Sequence, residues 1–465
     1  MFAYMRREPG FYRKVASLAL PVMLQNLITH SMGLLDTFMV GLLGELPLAA
    51  VTLANIPCFV ITFAIFGIQS GSSILISQNW GKKDMDAINR VMGTALYCAG
   101  TVTLIYSLIC FLIPVQFISL FGNDPEVIAL GAQYLRWIGF SYFADFFVLI
   151  YVAAHRSTEN PRLGLYILGI SVVSNTFLNW VLIFGKLGAP ALGVPGAAIA
   201  TLLARCIGLT VALTHAVASR RLNLKLRRLL SPGRAITRQF IRCATPVVIN
   251  ETFWGLGTTL YTTVMAHMDG SQEILAAHAI AGNIDRVCTV AIIAVCSAAA
   301  VIIGREIGAG RSKNEVYELG ACMSTLAFLV GLALTFILMA ALHLFIIPYL
   351  YPVFDLSAEA ARISTTILTS IFLLLALRGY NCMTIVGVLR GGGDVRAAMI
   401  IDNIPVWLVA LPLTALAGLV FKLDILWVCV AMRMESVAKV ALGIPRFRSR
   451  AWIHNLTLPP QSEEE

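Results

Sequence analysis

Residues 21–55 read PVMLQNLITHSMGLLDTFMVGLLGELPLAAVTLAN, and residues 246–283 read PVVINETFWGLGTTLYTTVMAHMDGSQEILAAHAIAGN. Each stretch opens on a proline, Pro21 and Pro246, inside a long apolar run. Each later carries paired alanines, Ala49-Ala50 and Ala276-Ala277. The echo continues downstream: Gly81 in QNWGKK is answered by Gly308 in REIGAG, and RSTENPR (156–162) by RGGGDVR (390–396). The chain therefore says much the same thing twice. Two similar halves in an apolar chain suit a membrane transporter, with substrate handled where the repeats meet.

The chain has 465 residues, 58% of them hydrophobic and 13% charged, with a mean hydropathy of +0.81. Soluble chains carry about a quarter charged residues, so this is an all-α polytopic membrane protein. Its length accommodates about twelve spans of roughly 20–25 residues with short loops. Apolar runs place them near 15–44, 50–79, 91–114, 128–154, 163–185, 193–218, 240–267, 276–303, 317–347, 357–389, 397–420 and 425–444. These form two pseudo-symmetric six-helix lobes: an N-lobe over 1–218, a basic linker over 219–239, a C-lobe over 240–450, and a tail over 451–465.

Charge in the loops sets the orientation. The N-terminal segment holds Arg6, Arg7, Arg13 and Lys14; HRSTENPR, the linker and IPRFRSR are also basic, whereas FGNDPEV and MDGSQE are acidic. Every second loop is rich in Lys and Arg, so both termini and the linker are expected in the cytoplasm. The repeat is then parallel rather than inverted. A net charge of +9 is confined to these loops. The linker lacks the interleaved aromatics of a nucleic-acid site and reads as a topology signal touching anionic lipid. No cleavage signature follows the N-terminal charges. Ten cysteines lie scattered without ligand spacing and read as small buried side chains. The acidic end, Glu463 to Glu465, reads as a solvated tail.

Ionisable side chains inside spans cost about 2.5–3.5 kcal/mol on insertion scales and mark functional candidates. Asp36, Asp145, Glu251, Asp285, Arg378 and Asp402 all fall in this class. Asp36 and Glu251 have no cation within a helical turn in sequence. Asp285 can neutralise against adjacent Arg286, or pair with Arg378 or Asp402. Arg433, Glu435 and Lys439 near the end of the last span read as snorkelling groups with an i,i+4 pair. Asn175 and Asn179 lie four apart and share one face of a helix; with Thr201 on the next span and Asp36, they can build a small polar pocket. Phe253, Trp254, Tyr142 and Phe143 can contact a cation through their rings, or simply pack. HExxH, GxSxG and P-loop motifs are absent from the sequence, which argues against an enzyme.

The chain resembles the multidrug and toxic compound extrusion (MATE) transporters across nearly its whole length. The resemblance rests on the two quoted segments, supported by GVPGAAIATLLAR (193–205) and VGVLRGGGDVR (386–396). It implies twelve spans in two six-helix lobes around a central cavity, and export of cationic, amphipathic compounds in exchange for Na⁺ or H⁺. By the same resemblance Asp36 matches the family's acid on the first helix, Asn175 the asparagine on the fifth, and Thr201 the polar residue of the sixth. Asn179 stands where many relatives have a second aspartate. Glu251 matches the acid on helix 7 of the Na⁺-linked branch, whose helix 10 aspartate has no counterpart here. The expected coupling set is thus Asp36, Asn175, Asn179, Thr201 and Glu251. Candidates for the substrate cavity are Asp145, Glu251, Trp254, Asp285, Arg378 and Asp402. No cofactor is expected beyond the coupling ion, with Na⁺ at Asp36 as the one metal considered. The expected partner is an organic cation, in a multi-pass monomer of the cytoplasmic membrane. The alternative is a flippase for lipid-linked saccharides or other precursors, which needs cations in its cavity; Arg378 and Arg286 keep that reading open.

Overall fold

The computed structural model describes residues 2–219, 221–353 and 356–458. Twelve long helices organise them: α1 (Pro9–Gly41), α2 (Glu45–Lys82), α3 (Met85–Leu112), α4 (Pro125–Ser157), α5 (Arg162–Phe184), α6 (Val194–Ala218), α7 (Arg234–Ala266), α8 (Ser271–Gly308), α9 (Lys313–Val353), α10 (Ala358–Arg390), α11 (Val395–Val420) and α12 (Ile425–Arg448). Nine are long and apolar enough to cross a bilayer. α10 joins them as a tenth if its two segments, bent by 52° at Leu374, form one span. The remaining two, α7 and α12, are 33 and 24 residues long but carry more polar residues. The duplication is visible in the lengths: α1 and α7 are both 33 residues with an interior proline, and α2 and α8 are both 38. Glu463 to Glu465 and Asp355 lie outside the described residues.

Local chemistry ends the helices where the sequence changes character. Asp84 accepts from the Ala87 N–H at the start of α3, and Asp124 caps α4 ahead of Pro125. Ser312 and Glu315 form a capping box on α9. These side chains satisfy amides that a helix start leaves unpaired. α1 to α8 are regular apart from their prolines. α9 to α11 instead contain widened π turns over Leu342–Leu350, Met383–Arg390, Pro405–Ala410 and Leu416–Val420. Such turns locally redirect side chains.

By its contacts the chain forms two compact units, Leu24–Val248 and Met1–Met23 with Ile249–Glu465. Their boundaries fall inside α1 and α7, just past Pro21 and Pro246, rather than in the linker 219–239. In the first unit, α2, α4 and α6 pack around a core that includes Val40, Ile61, Ile65, Leu135, Ile138 and Ala198. The opening part of α7 belongs to it because glycines on α2 admit it closely. A Cβ on Gly71 would sit 2.7 Å from both Cα and Cβ of Ala244, and one on Gly67 would sit 2.7 Å from the Val248 Cα. Small residues four apart allow this backbone approach in membranes. Gly71→Val is expected to cost about 1–3 kcal/mol through overpacking. A thermal midpoint in detergent equal to that of the wild type would contradict this packing.

The second unit gathers α8 to α12, the rest of α7 and the N-terminal residues. Val15, Leu18, Ala19 and Val22 join its apolar core with Ala277, Ile303, Met323 and Phe372. Tyr4 sits edge-on to Tyr317 of α9 at 6.3 Å. After Arg390 the chain turns through Gly391, Gly392 and Gly393. A Cβ on Gly391 would lie 2.8 Å from the Ala300 Cα on α8, and one on Gly392 would strike the Trp452 ring at 2.4 Å. Trp452 is fully buried there and donates to the Phe447 carbonyl at 3.0 Å. Trp452 and Asn455, which donates to the Ile307 carbonyl at 3.2 Å, thus dock the segment after α12 on this unit.

Candidate functional site

Four polar side chains expected together do meet in the first unit. Asn179 on α5 donates through Nδ2 to Asp36 Oδ1 on α1 at 2.6 Å and to Asn175 Oδ1 at 3.2 Å. Asn175 in turn donates to Thr201 Oγ1 on α6 at 3.1 Å, and Thr201 donates to the Ala197 carbonyl at 3.0 Å. The one-turn spacing of the asparagines makes this possible, since both project from one face of α5. Asn175, Asn179 and Thr201 are buried, and Asp36 stands at the more open end of the chain of bonds. Asn179 Oδ1 is buried with no hydrogen-bond partner. A carboxylate beside a spare amide oxygen is a hard-oxygen donor set, suited to a proton or Na⁺. No cationic side chain lies within 4.0 Å of Asp36 among the described residues. The group that donates to it is a neutral amide.

Asp145 on α4 belongs to the same unit but not to that chain of bonds. Its carboxylate faces Arg205 of α6, Nε to Oδ2, at 3.8 Å, and the guanidinium lies 4.5 Å from the centre of the Tyr142 ring. Arg205 Nη1 is buried without a hydrogen-bond partner. Arg205 was missed in the sequence although it stands in the middle of the predicted span 193–218, as an ionisable residue among apolar ones. The available signal was its place one turn beyond Thr201, on the face that carries the pocket. Tyr142 already serves a cation from the protein itself. Phe143 is part-exposed and packs on Phe146 at 5.4 Å.

Glu251 is the fifth residue of the expected coupling set. It lies in the other unit, and its Oε1 is 2.8 Å from Nη2 of Arg390 at the end of α10. The expectation that it lacked a cation held only for its sequence neighbours. Arg390 is 3.7 Å from Asp402 on α11, Asp402 is 2.9 Å from Lys439 Nζ on α12, and Lys439 is 3.9 Å from Glu435. Asn250 donates to Asp402 Oδ2 at 3.0 Å and accepts from Asn403 at 2.5 Å. The result is an alternating line of charge, Glu251–Arg390–Asp402–Lys439–Glu435. Arg390 and Lys439 are nearly enclosed, with side chains 4% and 9% exposed. Lys439 therefore does not snorkel: its nearest partner is Asp402, and the i,i+4 contact to Glu435 is the longer one.

The open choice for Asp285 resolves onto Arg378. Nη1 of Arg378 donates to both carboxylate oxygens of Asp285, at 2.7 and 2.9 Å, while Arg286 is exposed. Trp254 is 38% exposed. Its neighbour Phe253 packs edge-on to Trp407 at 5.5 Å and accepts from the Trp407 indole at 3.3 Å. Of the six cavity candidates, Asp145 faces Arg205 in the first unit; in the second, Glu251 and Asp402 share Arg390, Asp285 pairs with Arg378, and Trp254 is part-exposed. A hollow of about 240 Å³ exists at the ends of α7, α10 and α11, but it is lined by Asp269, Glu273, Glu359, Arg362 and Lys422 and holds none of them.

Comparison with known proteins agrees with the doubled layout. The MatE family model matches residues 21–181 and again 246–416. A probable multidrug resistance protein NorM of Thermotoga maritima is 25% identical, over 99% of this chain and 98% of its own length. The uncharacterized transporter YisQ of Bacillus subtilis is 24% identical over 94% of each chain. Among solved structures, a MOP superfamily transporter from Pyrococcus furiosus superposes with a TM-score of 0.84 at 20% identity, covering 98% of both chains. The Vibrio cholerae MATE transporter VcmN in its bent form gives 0.79 at 20% identity, over 95% of this chain and 98% of that one. With one copy of the family model on each repeat, and twelve helices in the arrangement of solved relatives, this chain belongs to the MATE family of membrane transporters.

Proposed function

We propose that this transporter is an ion-coupled efflux antiporter of the cytoplasmic membrane, with both termini in the cytoplasm, exporting cationic amphipathic molecules in exchange for H⁺ or Na⁺. The observation that carries the reading is the state of Asp36. It is a membrane-embedded acid held by a neutral amide, with an unpartnered amide oxygen beside it. Such a group must gain a cation or leave a charge uncompensated. Because Asp36, Asn179, Asn175 and Thr201 tie α1, α5 and α6 together, the cation bound at Asp36 bears on three helices at once. A ligand shifts a conformational equilibrium by its differential affinity for the two states. Ion binding therefore favours one facing state, and displacement by a cationic substrate from the inner side favours the other. The family's twelve-helix layout and the multidrug-resistance name of the Thermotoga maritima relative support a small-molecule cargo.

The flippase reading needs cations free to take a pyrophosphate. Arg378 and Arg390 are each held by an acid, which weakens that reading and leaves it resting on exposed Arg286 alone. Reconstitution into proteoliposomes tests the proposal. A panel of cationic dyes should move against an imposed H⁺ gradient or an imposed Na⁺ gradient, and failure of every dye with both gradients contradicts it. Asn179→Ala removes a hydrogen bond to a charged group, worth about 1.5–3 kcal/mol. Ion-driven export should fall roughly 10- to 100-fold with the protein still inserted; a wild-type rate would detach Asn179 from the pocket.

A further inference from the structure

The two compact units differ in how their embedded charges balance. In Leu24–Val248 the embedded groups are Asp36 and Asp145 against Arg205; Arg136, on the same helix as Asp145, is exposed. That is two acids for one base, and the base sits with Asp145. The deficit of one positive charge falls on Asp36. In the other unit the acids are Glu251, Asp285, Asp402 and Glu435. The bases are Arg378, Arg390 and Lys439, joined by half-buried Arg433. With Arg286 set aside as exposed, as Arg136 is in Leu24–Val248, the count there closes at four against four.

We propose that Arg390 and Lys439 are tethered counter-ions that permanently fill the places where mobile cations would otherwise meet Glu251 and Asp402, so the C-lobe takes up no coupling ion and each cycle exchanges a single ion at Asp36. The single-ion part rests on the antiport reading above; the role of Arg390 does not. Three features of the site fit a fixed cation. Arg390 is only 4% exposed, its guanidinium spans two carboxylates at 2.8 and 3.7 Å, and it is anchored at the end of a widened turn whose next residue, Gly391, is pinned against Ala300. A guanidinium bridging two acids does not leave during a cycle as a solvated ion does, since exposing either acid without it strands a buried charge. Lys439 does the same between Asp402 and Glu435, and Asn250 and Asn403 take up remaining hydrogen-bonding capacity on Asp402 and on each other.

The test uses the full-length protein in proteoliposomes. Arg390→Ala should lose dye transport at least tenfold and regain most of it when methylguanidinium fills the vacated position, whereas methylguanidinium should not stimulate the wild type. The neutral pair Glu251→Gln with Arg390→Gln should transport within about threefold of the wild type and keep the same dependence on the driving ion. Folded, monodisperse Arg390→Ala that ignores methylguanidinium overturns the tethered-cation role. So does a folded neutral pair that moves dye downhill but no longer responds to the ion gradient, because the C-lobe charges would then be coupling groups. If Arg390→Ala does not fold, the neutral pair decides; if that fails as well, Asp402→Asn with Lys439→Met gives the same readout. Wild-type transport indifferent to both gradients would refute the antiport reading, and methylguanidinium rescue would still decide the role of Arg390.

Discussion

Asp36→Asn is expected to reach the membrane in normal amount, bind cationic dyes, and lose ion-driven accumulation. A gradient of one pH unit is worth about 1.4 kcal/mol per proton. One-for-one exchange can therefore hold up to about a tenfold dye gradient in the wild type, against a ratio of about one when no ion is exchanged. The carboxamide oxygen in this variant would still accept the Asn179 amide that now bonds Asp36 at 2.6 Å, so the linkage of α1 to α5 survives while the exchangeable charge does not. This separates coupling from architecture. Accumulation measured at fixed internal and external pH, and repeated with Na⁺, checks it. An undiminished ratio in the variant would remove Asp36 from the coupling step.

The largest effect on stability is expected at the Glu251–Arg390 contact. Removing one member of a buried pair strands the other, at a cost of about 3–5 kcal/mol, whereas replacing both is far milder. Arg390→Gln alone should therefore lower the thermal midpoint sharply, Glu251→Gln alone somewhat less because Arg390 retains Asp402 at 3.7 Å, and the double variant should recover most of the loss. The double-mutant cycle reports the interaction directly. Strict additivity of the two single changes would mean that the 2.8 Å contact contributes nothing.

Much of the fold was legible in the sequence because it rests on local properties. Apolar runs placed the twelve helices to within a few residues, and prolines and repeated glycines revealed the duplication. The Asp36 pocket was legible for a similar reason: Asn175 and Asn179 share a face by helical spacing alone. The C-lobe charges were not. Glu251 and Arg390 stand far apart in the chain, and what brings them together is tertiary: a bend at Leu374, a widened turn over Met383–Arg390 and the close seat of Gly391 on Ala300. Helical periodicity carries no information about such a path. The same holds for Lys439, which has an acid one turn away in sequence but a nearer partner on α11. The exchange of segments at Pro21 and Pro246 was hidden as well, since it depends on which core receives Val15 and Val22, and on the glycines of α2.

Ion release on substrate binding tests the central claim most directly. A saturating cationic dye added to the purified wild type in weak buffer should displace one cation per protein, read as acidification by an indicator if the ion is H⁺ or as loss of bound radioactive Na⁺ if it is Na⁺. Asp36→Asn should bind the dye and release none. Release that persists in Asp36→Asn, or a wild type that binds dye without releasing either ion, would contradict the account.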